Sequence, residues 1–289
     1  MKVLVTGASS LIGTGVARVL ADRGDAVVCF QRRFVDALAG VDGAEQQLGD
    51  IRDNEAVNAA AAGCDAIIHL AARVGIVGSE EDFVSVNVGG TRNVLTAANH
   101  HHIGRVVHVS SPSVAHGGAA IVGAGADEPI TGRSRAWYAE SKALAEIEAL
   151  AASSPTMGVV AVRPHLVWGP GDTQLVGRIV ERSRQGRLAL VGGGRALVDT
   201  TYIDNAVDAL IAAVDSIDPG AKCAGRAYVI ANGEPRPVRD LVAGICAAAG
   251  VPFEPRDVPL RTACAAGSIL ERVWPWLPQR VRNDAEEPP

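Results

Sequence analysis

The sequence predicts an α/β protein built on a doubly wound parallel sheet, with a smaller C-terminal lobe. Through the first half of the chain, short β-branched runs alternate with Ala- and Leu-rich segments that have helical periodicity. This alternation is typical of strand–helix–strand units, whose right-handed crossovers build a parallel sheet. After Arg163 the alternation fades, and Pro/Gly clusters at 169–171 and 192–194 indicate that a second lobe is inserted on the sheet.

The individual elements follow from the spacing of apolar residues along each segment. Strands are predicted where short runs are rich in strand-forming residues: Lys2–Thr6, Ala26–Phe30, Glu45–Leu48, Asp65–Leu70, Arg105–Val109, Gly158–Val162 and Arg226–Ala231. Helices are predicted where apolar residues recur three and four positions apart: Leu11–Asp22, Asp53–Ala61, Glu80–Asn99, Arg135–Ala151, Thr173–Gln185, Ile203–Ser216 and Val238–Ala249. This order assigns residues 1–165, with about 197–217, to the sheet domain, and about 166–196, with 218–289, to the lobe.

Composition excludes several classes of protein. The 289 residues carry a net charge of −5, which argues against binding to nucleic acid or to an anionic membrane. The five cysteines are scattered without a C-x-x-C pair, as is typical of a reducing compartment, so we expect a cytoplasmic protein. No uncharged apolar stretch reaches the roughly 20 residues that a membrane-spanning helix needs. The histidines His100–His102 lack Cys or Asp partners at ligand spacing, so no metal site is predicted.

A glycine-containing turn follows the first predicted strand and precedes the first helix. In this turn Gly7 permits a tight change of direction, and Gly13 permits close packing of the helix on the sheet. The helix N-terminus supplies N–H groups and a positive dipole for a pyrophosphate, so a dinucleotide site is predicted here. Ser10 stands where the middle glycine of the dinucleotide fingerprint would be. The turn residues expected to contact the cofactor are Gly7, Ser9, Ser10, Leu11, Ile12 and Gly13.

The end of the second strand favours NADP(H) over NAD(H). An NAD-binding unit places a carboxylate there for the ribose hydroxyls, whereas this chain has Gln31, Arg32 and Arg33. Two guanidiniums can bind a 2′-phosphate with charge-assisted hydrogen bonds. Asp50 and Ile51, just after the third strand, are placed to contact the adenine.

Tyr138 and Lys142 are the candidate catalytic pair. Their spacing of four residues puts both side chains on one face of a helix. A neighbouring ammonium favours the phenolate and lowers the pKa of a tyrosine towards working pH. Ser111 follows the fifth strand at the carboxyl edge of the sheet, where open α/β sheets bind ligands. For Ser110 and Ser113, a role as turn or N-cap residues remains an alternative.

These motifs together resemble the extended short-chain dehydrogenases/reductases, which have a Rossmann fold. The matching segments are TGASSLIG (6–13), GDIRD (49–53), HLAA (69–72), NVGGTRNV (87–94), VSSPSV (109–114), YAESK (138–142) and RPHLVWGPGD (163–172). The resemblance implies that Tyr138 is the acid/base, that Lys142 is its partner, that Ser111 orients the reacting oxygen and that Asn87 supports them. It also implies that Leu70, Ala71, Ala72 and Pro164 line the cofactor site.

Within this superfamily the chain is more similar to the 3β-hydroxysteroid dehydrogenase-like branch than to enzymes of nucleotide sugars. Val198 stands where those enzymes carry a diphosphate-binding arginine, so a charge-assisted contact is missing. The segments at 109–118, 192–210, 232–242 and 263–277 are most similar to bacterial 2-alkyl-3-oxoalkanoate reductases of long-chain olefin biosynthesis.

This resemblance implies an NADPH-dependent reduction of a 2-alkyl-3-oxoalkanoic acid to the 2-alkyl-3-hydroxy acid, a reversible reaction. The long-chain acyl substrate needs an apolar pocket, for which Val74–Gly78, residues 117–126, Trp274 and Trp276 are candidates. The candidate substrate contacts are Ser113, His165, Arg73 and Arg195.

Three other functions remain open. They are a nucleotide-sugar epimerase or dehydratase, a sterol-type dehydrogenase, and a non-catalytic NADP-binding sensor. A sensor has no need of the Tyr138/Lys142 pair, and its presence favours an enzyme. The resemblance also implies a homodimer or an assembly with pathway enzymes.

Overall fold

The computed structural model describes residues 1–75, 78–116, 121–126, 128–132 and 136–273, with the backbone alone for 268–273. The strands in chain order are β1 (Lys2–Thr6), β2 (Ala26–Gln31), β3 (Ala44–Leu48), β4 (Ala66–His69), β5 (Arg105–Val109), β6 (Gly158–Pro164), β7 (Val167–Trp168), β8 (Ala189–Val191), β9 (Leu197–Val198), β10 (Thr201–Tyr202), β11 (Arg226–Ile230), β12 (Arg236–Pro237) and β13 (Arg256–Val258). The α-helices in chain order are α1 (Leu11–Asp22), α2 (Asn54–Ala61), α3 (Glu80–Phe83), α4 (Gly90–His100), α5 (Trp137–Ala151), α6 (Val176–Arg184), α7 (Ile203–Ser216), α8 (Val238–Ala248) and α9 (Leu260–Val273). Single turns of 3₁₀-helix lie at Asp36–Leu38, Pro112–Ala115 and Gly192–Gly194, and a π-helix spans Val84–Gly89.

The predicted doubly wound sheet is confirmed. Seven strands form one sheet in the order β11-β6-β5-β4-β1-β2-β3, and every neighbouring pair is parallel. The strand order reverses between β1 and β4, which places the topological switch point at the carboxyl ends of these two strands. In open α/β sheets ligands bind at this crevice.

The sheet is covered on both faces, as its apolar strands require. On one face α1 and α7 pack on residues such as Val5 and Val107. On the other face α2 and α4 pack on residues such as Leu4 and Val106. A parallel sheet of this kind is buried on both sides, which is why its strands read as continuous apolar runs rather than as alternating ones.

The segment predicted as one helix over 80–99 is divided into three parts. A capping box at Ser79 and Asp82 starts α3, a π-helix follows, and α4 continues from Gly90. Periodicity did not indicate the π-helix, because one wider turn leaves the spacing of apolar residues in α4 unchanged. π-Helical turns are rare in proteins, and those that occur often lie at functional sites.

The described chain divides into two compact units. The first comprises residues 1–167 with 201–230, and the second comprises 168–200 with the chain from Ala231 onward. The strand at Arg226–Ile230, which the sequence analysis placed in the C-terminal lobe, pairs with β6 and forms one edge of the seven-stranded sheet. Within the described residues, no helix combines the length and the hydropathy needed to cross a membrane.

The second unit has its own small core. Leu188, Leu190, Val242 and Cys246 are buried there and pack with partly buried neighbours such as Phe253. Two two-stranded pairings, β12 with β9 and β13 with β8, supply its sheet structure. Before α6 the Asp172 carboxylate accepts from the N–H groups of residues 174–176, and the regular helix begins at Val176, later than the sequence predicted.

Candidate active site

The glycine turn between β1 and α1 is built as a tight cradle. Gly7 has a φ of +70°, and a Cβ there would lie 2.7 Å from the Ala71 nitrogen at the end of β4. A Cβ on Gly13 would lie 2.4 Å from the Gly7 oxygen. Neither position therefore tolerates a side chain, and the backbone of the turn can approach a ligand closely.

Ser10 caps α1 in place of the middle glycine of the fingerprint. Its Oγ accepts from the Gly13 N–H at 3.0 Å and donates to the Gly7 oxygen at 2.9 Å. The hydroxyl is thereby held within the turn, while Ser9 beside it is exposed. Leu11 and Ile12 start the helix and are partly buried. These residues lie together as the sequence predicts, at the N-terminus of a helix that carries no acidic residue in its first turn.

The end of β2 offers both an amide and two guanidiniums. Gln31 is buried, its Nε2 donates to Gln46 Oε1 at 2.7 Å, and its own Oε1 has no partner among the described residues. Arg32 and Arg33 are exposed. Arg32 lies close enough to Asp50 to contribute to lowering the pKa of that carboxyl.

Asp50 and Ile51 follow β3 at the same edge of the sheet. The hydrogen bonds from Arg52 lower the pKa of Asp50 to about 2, so this carboxylate is ionised at neutral pH. The Ile51 side chain is buried against Gly90, where a Cβ would lie 2.8 Å from it. The side chain of Ile51 therefore belongs to the core.

The remaining predicted cofactor residues also lie at carboxyl ends of sheet strands. Leu70, Ala71 and Ala72 follow β4 and are partly buried, and the Ala71 N–H donates to Thr6 Oγ1 at 3.2 Å. Pro164 ends β6 and is half-buried. A group of this kind, along one edge of the sheet and around a helix N-terminus, fits an extended dinucleotide.

Tyr138, Lys142 and Ser111 lie together above β5. Tyr138 and Lys142 are both in α5, and the Ser111 side chain lies close enough to the Tyr138 hydroxyl to lower its pKa. Ser111 caps the 3₁₀ turn at Pro112–Ala115, and its Oγ lies 2.9 Å from the Ser113 Oγ. Lys142 is buried, and its Nζ donates to the Val109 oxygen at 2.6 Å.

The electrostatics of this pair differ from the prediction in one respect. Burial raises the pKa of the Tyr138 phenol, and the hydrogen bond with Ser111 opposes that rise. The sequence analysis expected the Lys142 ammonium to lower this pKa, but its Nζ is held by the strand carbonyl instead. Burial lowers the pKa of Lys142 to about 8, while the charge of Glu146 opposes that decrease. At neutral pH the phenol is therefore protonated, as a proton donor must be.

Asn87 lies in the π-helix and ties three elements together. It is buried, its Oδ1 accepts from the Arg73 N–H at 2.7 Å, and its Nδ2 donates to the Arg73 oxygen and to Ser141 Oγ at 2.8 Å. Ser141 Oγ in turn donates to the Tyr138 carbonyl oxygen at 3.0 Å. Asn87 is thus bonded, through Ser141, to the helix that carries Tyr138 and Lys142.

Two buried histidines under this helix were not singled out by the sequence analysis. His69 is bonded through Nδ1 to Thr6 Oγ1 at 2.7 Å and through Nε2 to Thr91 Oγ1 at 3.1 Å. His108 lies beside it with ring centroids 5.5 Å apart, and neither of its nitrogens has a partner among the described residues. Burial, followed by the charge of Lys142, lowers the pKa of both rings, to about 3 for His69. Both are therefore neutral.

A buried ion pair joins α5 to β6, and the sequence analysis did not predict it. Glu146 and Arg163 are both buried, and Arg163 donates to each oxygen of the Glu146 carboxylate, with Nε at 2.9 Å from Oε2. The spacing Tyr138, Lys142, Glu146 repeats every four residues, so it could have indicated a third member on the same helix face. The pairing with Arg163 had no local signal, because that residue lies in β6.

The predicted substrate contacts are distributed between the two units. Ser113 and His165 lie in the first unit, where the His165 N–H donates to the Ile230 oxygen. Arg195 lies in the second unit and is exposed. Trp274 and Trp276 lie outside the described residues, as do parts of the predicted apolar segments at 74–78 and 117–126. Among the described residues, no group of three or more His, Cys, Asp or Glu side chains could hold a metal ion.

Comparison with known proteins places this site in a family. The sequence model of the 3-beta hydroxysteroid dehydrogenase/isomerase family matches residues 4–260. The chain is 47% identical to a 2-alkyl-3-oxoalkanoate reductase of Stenotrophomonas maltophilia (strain K279a), over 100% of this chain and 86% of that protein. It is 37% identical to a protein of the same name from Shewanella oneidensis, over 98% of this chain and 74% of that one.

Solved structures show a similar fold. The Thermus thermophilus UDP-glucose 4-epimerase in complex with NAD superposes with a TM-score of 0.74 at 25% identity, over 90% of this chain and 86% of that one. The segment that matches the family contains the glycine turn, Tyr138, Lys142 and the end of β6.

Proposed function

The chain belongs to the 3-beta hydroxysteroid dehydrogenase/isomerase family and is an oxidoreductase, and from this premise we propose that it reduces a 2-alkyl-3-oxoalkanoic acid to the 2-alkyl-3-hydroxy acid with NADPH. The observation that carries the proposal is the hydroxyl pair of Tyr138 and Ser111 above β5, where a ketone oxygen could accept from both. Relatives named for this substrate are 47% and 37% identical over nearly the whole chain, which supports the choice of substrate.

The residues of the chain can do what the reduction requires. The nicotinamide cofactor supplies a hydride when it is bound, and the glycine turn, Leu70–Ala72 and Pro164 would hold it. Tyr138, whose pKa is raised, would donate its proton to the ketone oxygen as negative charge develops there. The Ser111 hydroxyl would donate a hydrogen bond to the same oxygen. Lys142 would hold the ribose of the cofactor with its charged amino group.

The preference for NADPH rests on the end of β2. A carboxylate there would repel a 2′-phosphate, and the chain has the neutral Gln31 instead. Arg32 and Arg33 are exposed beside it and can bind the phosphate bidentately. The ionised Asp50 lies near Arg32 and would orient that guanidinium.

A long-chain acyl substrate is supported by apolar side chains that are exposed close to the catalytic residues in the sequence. Trp137 precedes Tyr138 and is 41% exposed, Val74 follows Arg73 and is 68% exposed, and Leu166 follows His165 and is 39% exposed. Side chains of this kind are candidates for the lining of an apolar pocket, which a long acyl chain needs. We further propose that the second unit is the substrate-binding lobe, that His165, Arg73 or Arg195 meets the carboxylate, and that the reaction serves olefin biosynthesis. The homodimer or pathway assembly and the cytoplasmic location stay predictions.

The proposal is tested by running the reaction in reverse, because a 3-oxo acid decarboxylates spontaneously. Purified protein is incubated with a 2-alkyl-3-hydroxyalkanoic acid and NADP⁺ or NAD⁺, and the absorbance of the reduced cofactor is followed. We expect turnover, and faster turnover with NADP⁺. Turnover that is faster with NAD⁺ would retain the reaction and contradict the cofactor preference.

Tyr138→Phe is the matched control for the assay. We expect it to lower kcat by about 10²- to 10⁴-fold, the usual contribution of a general acid, while NADPH binding is kept. If the unaltered protein binds NADPH but turns over neither this acid nor a 3β-hydroxysterol nor a UDP-sugar, the enzyme hypothesis is wrong and the sensor is favoured. Turnover of the sterol alone would favour the sterol-type dehydrogenase, and turnover of the UDP-sugar alone the epimerase.

A further inference from the structure

Three charged side chains are buried together where α5 packs on β6. Lys142 is 4% exposed, Glu146 is 0% exposed and Arg163 is 1% exposed. Lys142 and Glu146 are four residues apart on the face of α5 that covers the ends of β5 and β6. A lone buried charge is costly, so each member of such a group needs a counter-charge.

The geometry fixes Glu146 on one cation and places it one helical turn from the other. Arg163 donates to both carboxylate oxygens of Glu146, which fixes the position of the carboxylate on the sheet. On the other side, the Lys142 Nζ is anchored on the Val109 oxygen, and Val109 pairs in register with Val162, the residue before Arg163. The Lys142 Nζ and the Arg163 guanidinium are therefore held at the ends of neighbouring strands, and the Glu146 carboxylate, one helical turn from Lys142, binds the guanidinium.

Stability alone does not explain this ion pair. Replacement of a buried ion pair by apolar residues of similar volume is often neutral or stabilising. What the pair does supply is a fixed negative charge, and that charge raises the pKa of Lys142 against the effect of burial. The other titratable groups that face Lys142 from the described elements are neutral or paired: Tyr138 on α5, His108 on β5, His69 on β4 and Arg163 on β6.

We propose that Glu146, held in place by Arg163, is a positioning residue that keeps Lys142 charged at working pH. The proposal rests on the proposed reductase function only for its consequence, since the charge on Lys142 is what would hold the cofactor ribose. Its core claim concerns the protonation of one lysine and is independent of any substrate.

The chain is well suited to a direct measurement. It has three lysines, Lys2, Lys142 and Lys222, so protein labelled with ¹³C at the lysine ε carbon gives three resonances to titrate. Lys2→Arg and Lys222→Arg variants assign the signals, and those two lysines then serve as internal references. The full-length protein is titrated without cofactor or substrate, so the result does not depend on turnover.

Glu146→Gln is expected to lower the titration midpoint of Lys142 by about one pH unit or more, the usual effect of an opposite charge within a few ångströms. Because Glu146→Gln removes the carboxylate that Arg163 binds and can destabilise the fold, the double variant Glu146→Met/Arg163→Met is measured as well. It removes both charges and should lower the midpoint in the same direction. Arg163→Lys is the matched control, because it keeps the cation and the Glu146 carboxylate, and its midpoint should stay near that of the unaltered protein.

Activity provides the second measurement. In the two variants that lack Glu146, kcat/KM for ketone reduction should begin to fall at a lower pH than in the unaltered protein. The size of this change should equal the shift of the NMR midpoint. An unchanged Lys142 midpoint in the folded double variant would overturn the proposal. Glu146 and Arg163 would then contribute only to packing. Absence of turnover in the unaltered protein, with the NMR shift observed, would overturn the reductase function and leave the role of Glu146 intact.

Discussion

At the scale of the residue, the site is a set of groups whose pKa values are displaced by burial. The pKa of the Tyr138 phenol is raised and that of Lys142 is lowered to about 8, so near neutral pH both groups carry their protons. Ser111 links the phenol to the 3₁₀ turn after β5. This protonation pattern suits donation of a proton to a ketone, which is the direction of the proposed reaction.

The first residue-scale prediction is a pH dependence. Lys142 is charged below its pKa of about 8 and loses its charge above it, whereas Tyr138 stays protonated because its pKa is raised. We therefore expect kcat/KM for ketone reduction, which reports the free enzyme, to fall as the pH rises through about 8. A rate that increased steadily through this range would contradict the role of Lys142.

The second prediction at this scale concerns the 2′-phosphate. Arg32→Ala or Arg33→Ala should raise the Kd for NADP⁺ by about 10- to 100-fold, the loss of one hydrogen bond between charged groups, and should change the Kd for NAD⁺ little. Fluorescence titration of the reduced cofactors measures both constants. Arg187→Ala, an exposed arginine of the second unit, is the matched control. Equal increases in the Kd for NADP⁺ and for NAD⁺ would show that these arginines do not bind the 2′-phosphate.

At the scale of the element, the π-helix is the feature that organises the site. Its wider turn places the Asn87 amide between the Arg73 backbone and Ser141 of α5, within one buried network. The same network continues from the Asn87 oxygen through Thr91 to His69 of β4. The helix that carries Tyr138 and Lys142 is thus fastened to the sheet by polar groups as well as by apolar packing.

The element-scale prediction is made on Asn87. Asn87→Ala removes the acceptor of the Arg73 N–H and one of the two partners of the Ser141 hydroxyl, so the free energy of unfolding should fall by about 1–3 kcal/mol. Urea denaturation measures this, and kcat should fall with it because the position of α5 depends on the same contacts. Asn93→Ala in α4, which removes a single partly buried hydrogen bond to the Ile51 oxygen, should cost less on both counts. A stable variant with full kcat would show that the amide is dispensable.

At the scale of the whole molecule, the chain forms two units that we propose to bind different ligands. The glycine turn, Leu70–Ala72 and the catalytic pair lie in the first unit, while Arg195 and a separate small core lie in the second. The chain enters the second unit after Val167 and returns to the first at Thr201, so the two units are joined by more than one connection.

The whole-molecule prediction follows from this division of roles. In hydrogen exchange, NADP⁺ alone should slow exchange at residues 7–13 and 70–72 of the first unit. Adding the 2-alkyl-3-hydroxy acid should slow exchange in the second unit as well, at 168–200 or beyond Ala231. If the acid changes exchange in the first unit only, the second unit is not the substrate lobe that the sequence analysis expected.

Much of the fold could be predicted because its signals are local. Each strand and helix of the sheet domain has its own periodicity, and the glycine turn stands between a strand and a helix as its function requires. The parts that were missed depend on contacts that are distant along the chain. The place of Arg226–Ile230 beside β6, the pairing of Glu146 with Arg163, and the two neutral histidines could be seen only after the chain was folded.

The position of β11 has a consequence for how the protein is made. β6 ends at Pro164, and the strand that covers its outer edge starts at Arg226, after the whole inserted segment of the second unit. Ribosomes add roughly 5–20 residues per second. The outer edge of β6 therefore stays unpaired in the nascent chain for several seconds. Exposed strand edges pair readily with other chains, so the interval before β11 emerges is when a chaperone would protect this protein most.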